Sequence, residues 1–382
     1  MDRKELYEEI MKLMPSNYEV EDGFLAHLDE LFSRYKTLIV QFDETSFEYK
    51  RIPDKIETIS KEELMKKIDK VISYIRQAAH YVYKGCNPAA FELIRKVIQV
   101  VLTSLPLKVF PENSQFYRMR TMENRDNVGI NDLFHIPLKK RGIVKTQRYS
   151  APGYPCLYLG ESVYVCWEEM LRPDLNHCFV SRLANQREIP LLDLSYPELS
   201  EWIKNDGNNY SYETNYIIVS SLIRLPLLIA CMVKVRNTGD VFKPEYIIPQ
   251  IIMDMIIYHI RFKKNKKEKP LYVGVYYTTV HQNRDFNFIP RDNNGICNYS
   301  LINNIAIPVQ SPLSPNKFCP ELCEWFKITE PTCDEFERAK MPYFYSQKFG
   351  LSISNVNQYQ LSTFGQLEER LNHLGLNPIE PQ

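Results

Sequence analysis

Residues 115–170 read QFYRMRTMENRDNVGINDLFHIPLKKRGIVKTQRYSAPGYPCLYLGESVYVCWEEM, the most informative run in the chain. It begins with a short apolar strand pattern that carries Arg118. Turn-forming Asn, Asp and Gly residues follow, and Arg148 stands just before Pro152-Gly153. CLYLG at 156–160 has the apolar character of a strand and contains Tyr158. From 163 to 171 the apolar residues take helical spacing, with Glu168 and Glu169 near the end of that helix.

Short elements of this kind continue downstream. IPLLDL at 189–194, LYVGVYY at 271–277 and NIAIPV at 304–309 read as strands, and 247–261 as a helix. Between them lie turns rich in Pro, Gly and Asn. The pattern predicts a mixed α+β domain with six to eight strands.

Upstream the texture differs. Residues 4–14 and 24–35 carry apolar residues at helical spacing, whereas LIVQF within 37–49 suggests a strand or hairpin. Ser60 with Glu63 forms a capping-box pattern ahead of a helix running to about residue 83, and 89–105 predicts another. Pro106 and Pro111 then mark a boundary. The expected organisation is a mainly helical N-terminal domain over 1–111, a catalytic domain over 112–312, and a C-terminal extension over 313–382 packing on it. A fragment from Gln115 onward is accordingly expected to fold alone.

Composition excludes several classes. At 382 residues the chain exceeds what one core usually fills, and 44% hydrophobic with 25% charged residues is ordinary for a globular protein. Lys+Arg and Asp+Glu both number 47, which argues against broad electrostatic capture of nucleic acid. The basic run RFKKNKKEK at 261–269 reads as a solvated helix end. Nine cysteines, with no CxxC pair, read as reduced thiols of a cytoplasmic protein rather than a disulfide framework. Cys319, Cys323 and Cys333 lack a histidine neighbour and recognisable zinc spacing, so no metal site is expected. The charged N-terminus lacks the apolar stretch of a signal peptide. The most apolar run, 217–235, is interrupted by Arg224 and Pro226 and reads as core rather than a membrane span.

No P-loop, dinucleotide GxGxxG or nucleophile elbow is present. Arg76 and His80 share a helix face, but their spacing falls one residue short of a HEPN-type nuclease pattern, and an exposed polar face is the expectation. Arg118, Arg148, Tyr158 and Glu169 offer a different chemistry. Arginine forks bind pyrophosphate bidentately, a tyrosine ring can stack on a nicotinamide or ribose, and a carboxylate can stabilise oxocarbenium-like charge. Taken singly, each has a structural alternative: a surface ion pair, a core ring, a wet helix face.

The segment resembles the RES domain, a family named for Arg, Glu and Ser residues and found in bacterial toxin–antitoxin systems. The resemblance rests on Tyr117-Arg118, on Arg148-Tyr149-Ser150-Ala151-Pro152-Gly153, on Leu157-Tyr158, and on a glutamate eleven residues past the tyrosine, which selects Glu169 over Glu168. FHIP at 134–137 resembles the His-Pro element of longer members. Leu191-Leu192-Asp193-Leu194, YIIPQII at 246–252, GVYYTT at 274–279 and NIAIPV at 304–309 extend the likeness over 112–312. Thr279 stands where the family has its serine; it keeps the hydroxyl and adds a methyl group.

The resemblance implies an ADP-ribosyltransferase-like fold and NAD as substrate, with no bound cofactor. It implies that Arg118 and Arg148 hold the pyrophosphate, that Tyr158 stacks near the nicotinamide end, and that Glu169 stabilises the oxocarbenium ion. Thr279 would hydrogen-bond the nicotinamide ribose or the acceptor. The expected activity is NAD glycohydrolase or phosphorylase; protein ADP-ribosyltransferase and a non-enzymatic NAD-binding or interaction module are the alternatives. Such an enzyme would endanger its own cell, so an antitoxin or regulatory protein is the expected partner, beside NAD and a second copy of the chain; nucleic acid and membrane are not.

Overall fold

The computed structural model describes residues 1–19, 23–52, 55–101, 107–123, 127–206, 209–262, 271–281, 299–310, 317–333, 359–360 and 362–381. Pro106, most of the basic run 261–269 and Cys297 lie outside them. In chain order the first elements are α1 (Arg3–Met11), α2 (Phe24–Gln41), β1 (Ser46–Ile52), β2 (Lys55–Ser60), α3 (Lys61–Tyr83) and α4 (Asn87–Val101). Then come β3 (Leu107–Phe110), β4 (Gln115–Thr121), α5 (Ile130–Leu133), β5 (Cys156–Gly160), α6 (Val163–Glu169), β6 (Cys178–Asn185) and β7 (Ile189–Leu194). They are followed by α7 (Leu199–Ile203), β8 (Asn205–Asp206), β9 (Asn209–Tyr210), α8 (Tyr212–Cys231) and α9 (Ile247–Phe262). The remainder are β10 (Val275–Thr278), β11 (Asn303–Pro308), α10 (Pro320–Trp325), β12 (Phe326–Ile328), α11 (Thr363–His373) and β13 (Asn377–Pro378).

These elements sort into two compact units. The first comprises Met1–Pro106, Gln147–Tyr149 and Tyr196–His259; the second comprises Leu107–Thr146, Ser150–Ser195 and Ile260–Gln382. The expected span 112–312 is thus distributed over both units. The reason is α8, whose buried residues run from Thr214 to Cys231 and which packs on α3 and β1 inside the first unit. Arg224 and Pro226, read from sequence as interruptions, lie within this continuous helix. By length and composition α8 could cross a membrane, with a mean hydropathy of 1.6, yet 83% of that window is buried as a core helix.

In the first unit the Ser60–Glu63 capping box forms as expected: Ser60 Oγ accepts from Glu63 N at 3.2 Å, and Glu63 Oε2 accepts from Ser60 N at 3.1 Å. The hairpin expected at 37–49 forms later, as β1 and β2. Residues 37–41 instead continue α2, because Ile39 extends the buried stripe of Leu28, Leu31, Phe32 and Tyr35. Arg76 forms an exposed ion pair with Asp29.

The second unit is built on a mixed sheet of nine strands among the described residues, in the order β13-β12-β6-β4-β5-β11-β10-β7-β3. β10 and β7 run parallel, while the other neighbours are antiparallel. This α+β architecture agrees with the fold class read from the sequence. Helix α6 lies close over Gly160 at the end of β5. A Cβ there would fall 2.5 Å from Val165 Cγ1 and 2.9 Å from the Ser162 carbonyl oxygen, so only glycine permits the approach.

A fragment starting at Gln115 retains α8 without α3 or β1. The expected outcome is aggregation, because the buried face of a long apolar helix would meet water. Recovery of that fragment as a soluble monomer by size-exclusion chromatography would show that the two units do not need each other's segments.

Candidate functional site

The second unit holds four of the five residues singled out by sequence: Arg118 on β4, Tyr158 on β5, Glu169 on α6 and Thr279 one residue past β10. Paired residues in a ladder share a face, and alternate residues along a strand return to it. Tyr117 pairs with Gly160 and Asn304 pairs with Gly160 and Tyr277. Tyr158 is two residues before Gly160, and Thr279 is two residues past Tyr277. Tyr158, Asn304 and Tyr277 therefore lie along the face crossed by α6, and Thr279 follows just past the end of β10. Asn304 Nδ2 donates to Glu169 Oε1 at 3.2 Å, holding the carboxylate over that face. Asn304 was legible only as part of NIAIPV; its contact depends on a sheet register that the sequence does not state.

Arg118 follows Tyr117 in β4, so by the same alternation its side chain leaves the strand on the face opposite to Tyr158 and Asn304. The β4–β5 ladder is the single pair Tyr117 and Gly160, while β4 pairs with β6 over seven residues. The Tyr158 carbonyl accepts from Arg118 Nη1 at 2.6 Å. Arg118 Nε is buried without a hydrogen-bond partner, and among the described residues no carboxylate pairs with this guanidinium. Burial pushes its pKa well down, and nearby Arg120 pushes the same way. Other buried arginines are differently served. Arg3, in the first unit, meets the Glu44 carboxylate at 2.5 and 2.7 Å and Asn215 Oδ1 at 2.5 Å. Arg182 donates to the Leu371 and Leu374 carbonyls, each at 2.9 Å, where the helix dipole is negative. A buried cation without an anion costs several kcal/mol in general, so the Arg118 guanidinium has an unmet need for an acceptor.

Tyr158 exchanges a hydrogen bond of 2.8 Å between its hydroxyl and Ser150 Oγ, which fixes the ring. Arg148 belongs to the first unit. There its Nη1 donates to the Cys231 carbonyl at 2.7 Å, its Cζ lies 5.2 Å from the Tyr246 ring centroid, and its Nη2 is buried without a hydrogen-bond partner. YIIPQII, one of the segments that carry the RES likeness, supplies that ring.

The two adjacent glutamates separate cleanly. Glu168 is buried and forms a two-pronged pair with Arg172, both contacts at 3.0 Å. Glu169 is the one that meets Asn304. Thr278 and Thr279 also diverge. Thr278 Oγ1 donates to Asn303 Oδ1 at 2.7 Å, and Asn303 Nδ2 reaches the Tyr276 hydroxyl, which donates to Glu161 Oε2 at 2.6 Å. Thr279, fully buried, accepts from the His281 N–H at 3.2 Å. His135 of FHIP is structural. Its Nδ1 donates to the Ile136 carbonyl and its Nε2 accepts from Cys319 N at 2.8 Å, while burial lowers its pKa to about 4 and keeps the ring neutral.

Comparison with known proteins adds one relative. The chain is 37% identical over 224 residues to a Bacillus subtilis (strain 168) protein named "Putative toxin YopC"; the match covers 58% of this chain and 46% of that protein. The chain therefore spans about half the length of the relative it matches. No protein-family model and no solved structure matches it.

Two outcomes follow for the glutamates of this unit. Glu168→Gln removes a buried charged pair and lowers stability by about 1–2 kcal/mol, whereas Glu169→Gln, whose Oε1 still accepts from Asn304, stays within about 0.5 kcal/mol of the parent. Equal melting temperatures for the two variants would contradict this division. Glu161 is pushed up to about 7 by burial. A carboxyl raised in the folded state contributes stability below its unfolded pKa, near 4.5, and loses it as pH rises to about 7. Glu161→Gln stays neutral, so its melting temperature should gain on the parent's between pH 5 and pH 8. A constant difference would show that Glu161 is not buried as described.

Proposed function

We propose that this chain consumes NAD by cleaving the bond between nicotinamide and ribose, and that it serves as a toxin or defence effector. The observation that supports the reading most is the buried Arg118 guanidinium with an unbonded Nε and no carboxylate partner among the described residues. A pyrophosphate oxygen would supply the missing acceptor and the missing charge. For Arg148, which belongs to the first unit, the same role rests on the RES resemblance alone.

The remaining residues fit the chemistry in turn. The glycosidic electron pair departs with nicotinamide, which leaves neutral, and positive charge develops on the ribose. Glu169, held by Asn304, would supply the carboxylate that stabilises that charge. Tyr158, its hydroxyl tied to Ser150, offers a fixed ring face to the nicotinamide end. The Thr279 hydroxyl can bond a ribose hydroxyl. Water or phosphate then adds at the anomeric carbon; in hydrolysis the water's proton passes to solvent. The RES resemblance supports the same assignment residue by residue, and the word toxin in the relative's name supports the biological role. An enzyme that draws on the cellular NAD pool acts in the cytoplasm and calls for an antitoxin or other regulatory partner.

The fate of the ADP-ribose is the test. Incubation with adenylate-labelled NAD and a cell lysate should leave all label in small molecules while nicotinamide accumulates. Stoichiometric transfer of label onto one protein band would replace this reading with protein ADP-ribosylation. No loss of NAD, with or without phosphate, would reduce the chain to a binding module.

A further inference from the structure

Helix α11 lies outside the span that resembles the RES domain, yet it is fastened to the helix that carries Glu169. Glu368 Oε1 accepts from the Val163 N–H at 2.7 Å and from the Tyr359 hydroxyl at 2.6 Å. The first amides of a helix have no partner within it, and Val163 opens α6. The Ser162 hydroxyl caps Val165 N at 3.0 Å and donates to the Leu301 carbonyl at 2.6 Å. Glu368 thus supplies the acceptor that Ser162 does not provide. Phe364 packs edge-to-face on Tyr164 and at a tilt on Trp167 of α6, with centroids 5.4 and 5.5 Å away. Arg182 of β6 ties down the other end of α11 through the Leu371 and Leu374 carbonyls. Gly365 permits the close approach of Tyr359, since a Cβ there would lie 2.3 Å from the Tyr359 carbonyl oxygen.

Resting on the proposed NAD cleavage, we propose that Glu368 is a positioning residue: from α11 it fixes the first amide of α6 and so sets where Glu169 stands at the far end. Geometry gives the lever its size. Val163 and Glu169 are six residues apart, about 9 Å along a helix at 1.5 Å per residue. A tilt of about 10° at the first turn moves the last by roughly 1.5 Å, enough to break a 3.2 Å hydrogen bond such as that from Asn304. Misplacement by about 1 Å can cost about 100-fold in rate. The contacts of α11 described above fall on α6, β6 and Tyr359 and not on the pyrophosphate-binding Arg118, so its effect is expected on turnover rather than on affinity.

The test compares full-length parent, Glu368→Ala and Glu368→Gln by two readouts: NAD cleavage kinetics, and hydrogen exchange at the amides of Val163 to Trp167. Glu368→Ala should lower kcat by about 10- to 100-fold with KM within about twofold, and should speed exchange at Val163. Glu368→Gln, whose amide oxygen accepts both hydrogen bonds, should restore most of both. Faster exchange with unchanged kcat, or a raised KM with unchanged kcat, overturns the positioning role. If Glu368→Ala does not fold, Tyr359→Phe, which removes one of the two bonds to Glu368, replaces it. A drop in its kcat alone supports the role, and unchanged kinetics overturns it. A parent that leaves NAD intact defeats the proposed function instead, and exchange at Val163 still decides whether Glu368 holds α6.

Discussion

A buried guanidinium, bonded to one backbone carbonyl and, among the described residues, to no carboxylate, is the constraint on which the reading of the second unit depends. Arg118 sits where the β4–β5 ladder ends after one pair, and its Nη1 takes the Tyr158 carbonyl across that opening. A chain that merely needed a stable sheet would gain by a neutral residue here, because an unpaired buried cation costs several kcal/mol. The same chain satisfies Arg3 with a carboxylate and Arg182 with helix-end carbonyls. Arg118, unlike these, keeps a donor without an acceptor.

The carboxylate side of the site is set by different means. Glu169 ends a helix of two turns, too short to be stable by propensity, whose position comes from its contacts. Gly160 lets it approach β5, Ser162 caps it, Asn304 receives it at one end and Glu368 at the other. Cation and carboxylate thus stand on separate supports, and the sheet register relates them.

Much of this was readable in the sequence where local chemistry dictates local structure. The Ser60–Glu63 box and the strand at 156–160 follow from short local patterns; the preference for Glu169 over Glu168 rests on the RES resemblance, and the two differ in the structure, Glu168 pairing with Arg172 and Glu169 meeting Asn304. Residues 37–41 misled because LIVQ suits a strand as well as a buried helical stripe; the continuing face of α2 decided it. Long-range packing stayed hidden. No local signal shows that α8 belongs with α3 and β1, that Asn304 meets Glu169, or that a glutamate near the C-terminus would take the first amide of α6.

The central claim, that Arg118 is kept for the pyrophosphate of NAD, is tested most directly by calorimetric titration of NAD into Glu169→Gln, which should bind without turnover, with and without Arg118→Lys added. Lysine cannot reproduce a two-pronged fork. The account predicts that Arg118→Lys weakens binding by about tenfold or more, roughly 1.4 kcal/mol, in a protein of unchanged thermal stability. An unchanged dissociation constant would contradict it and remove Arg118 from the site.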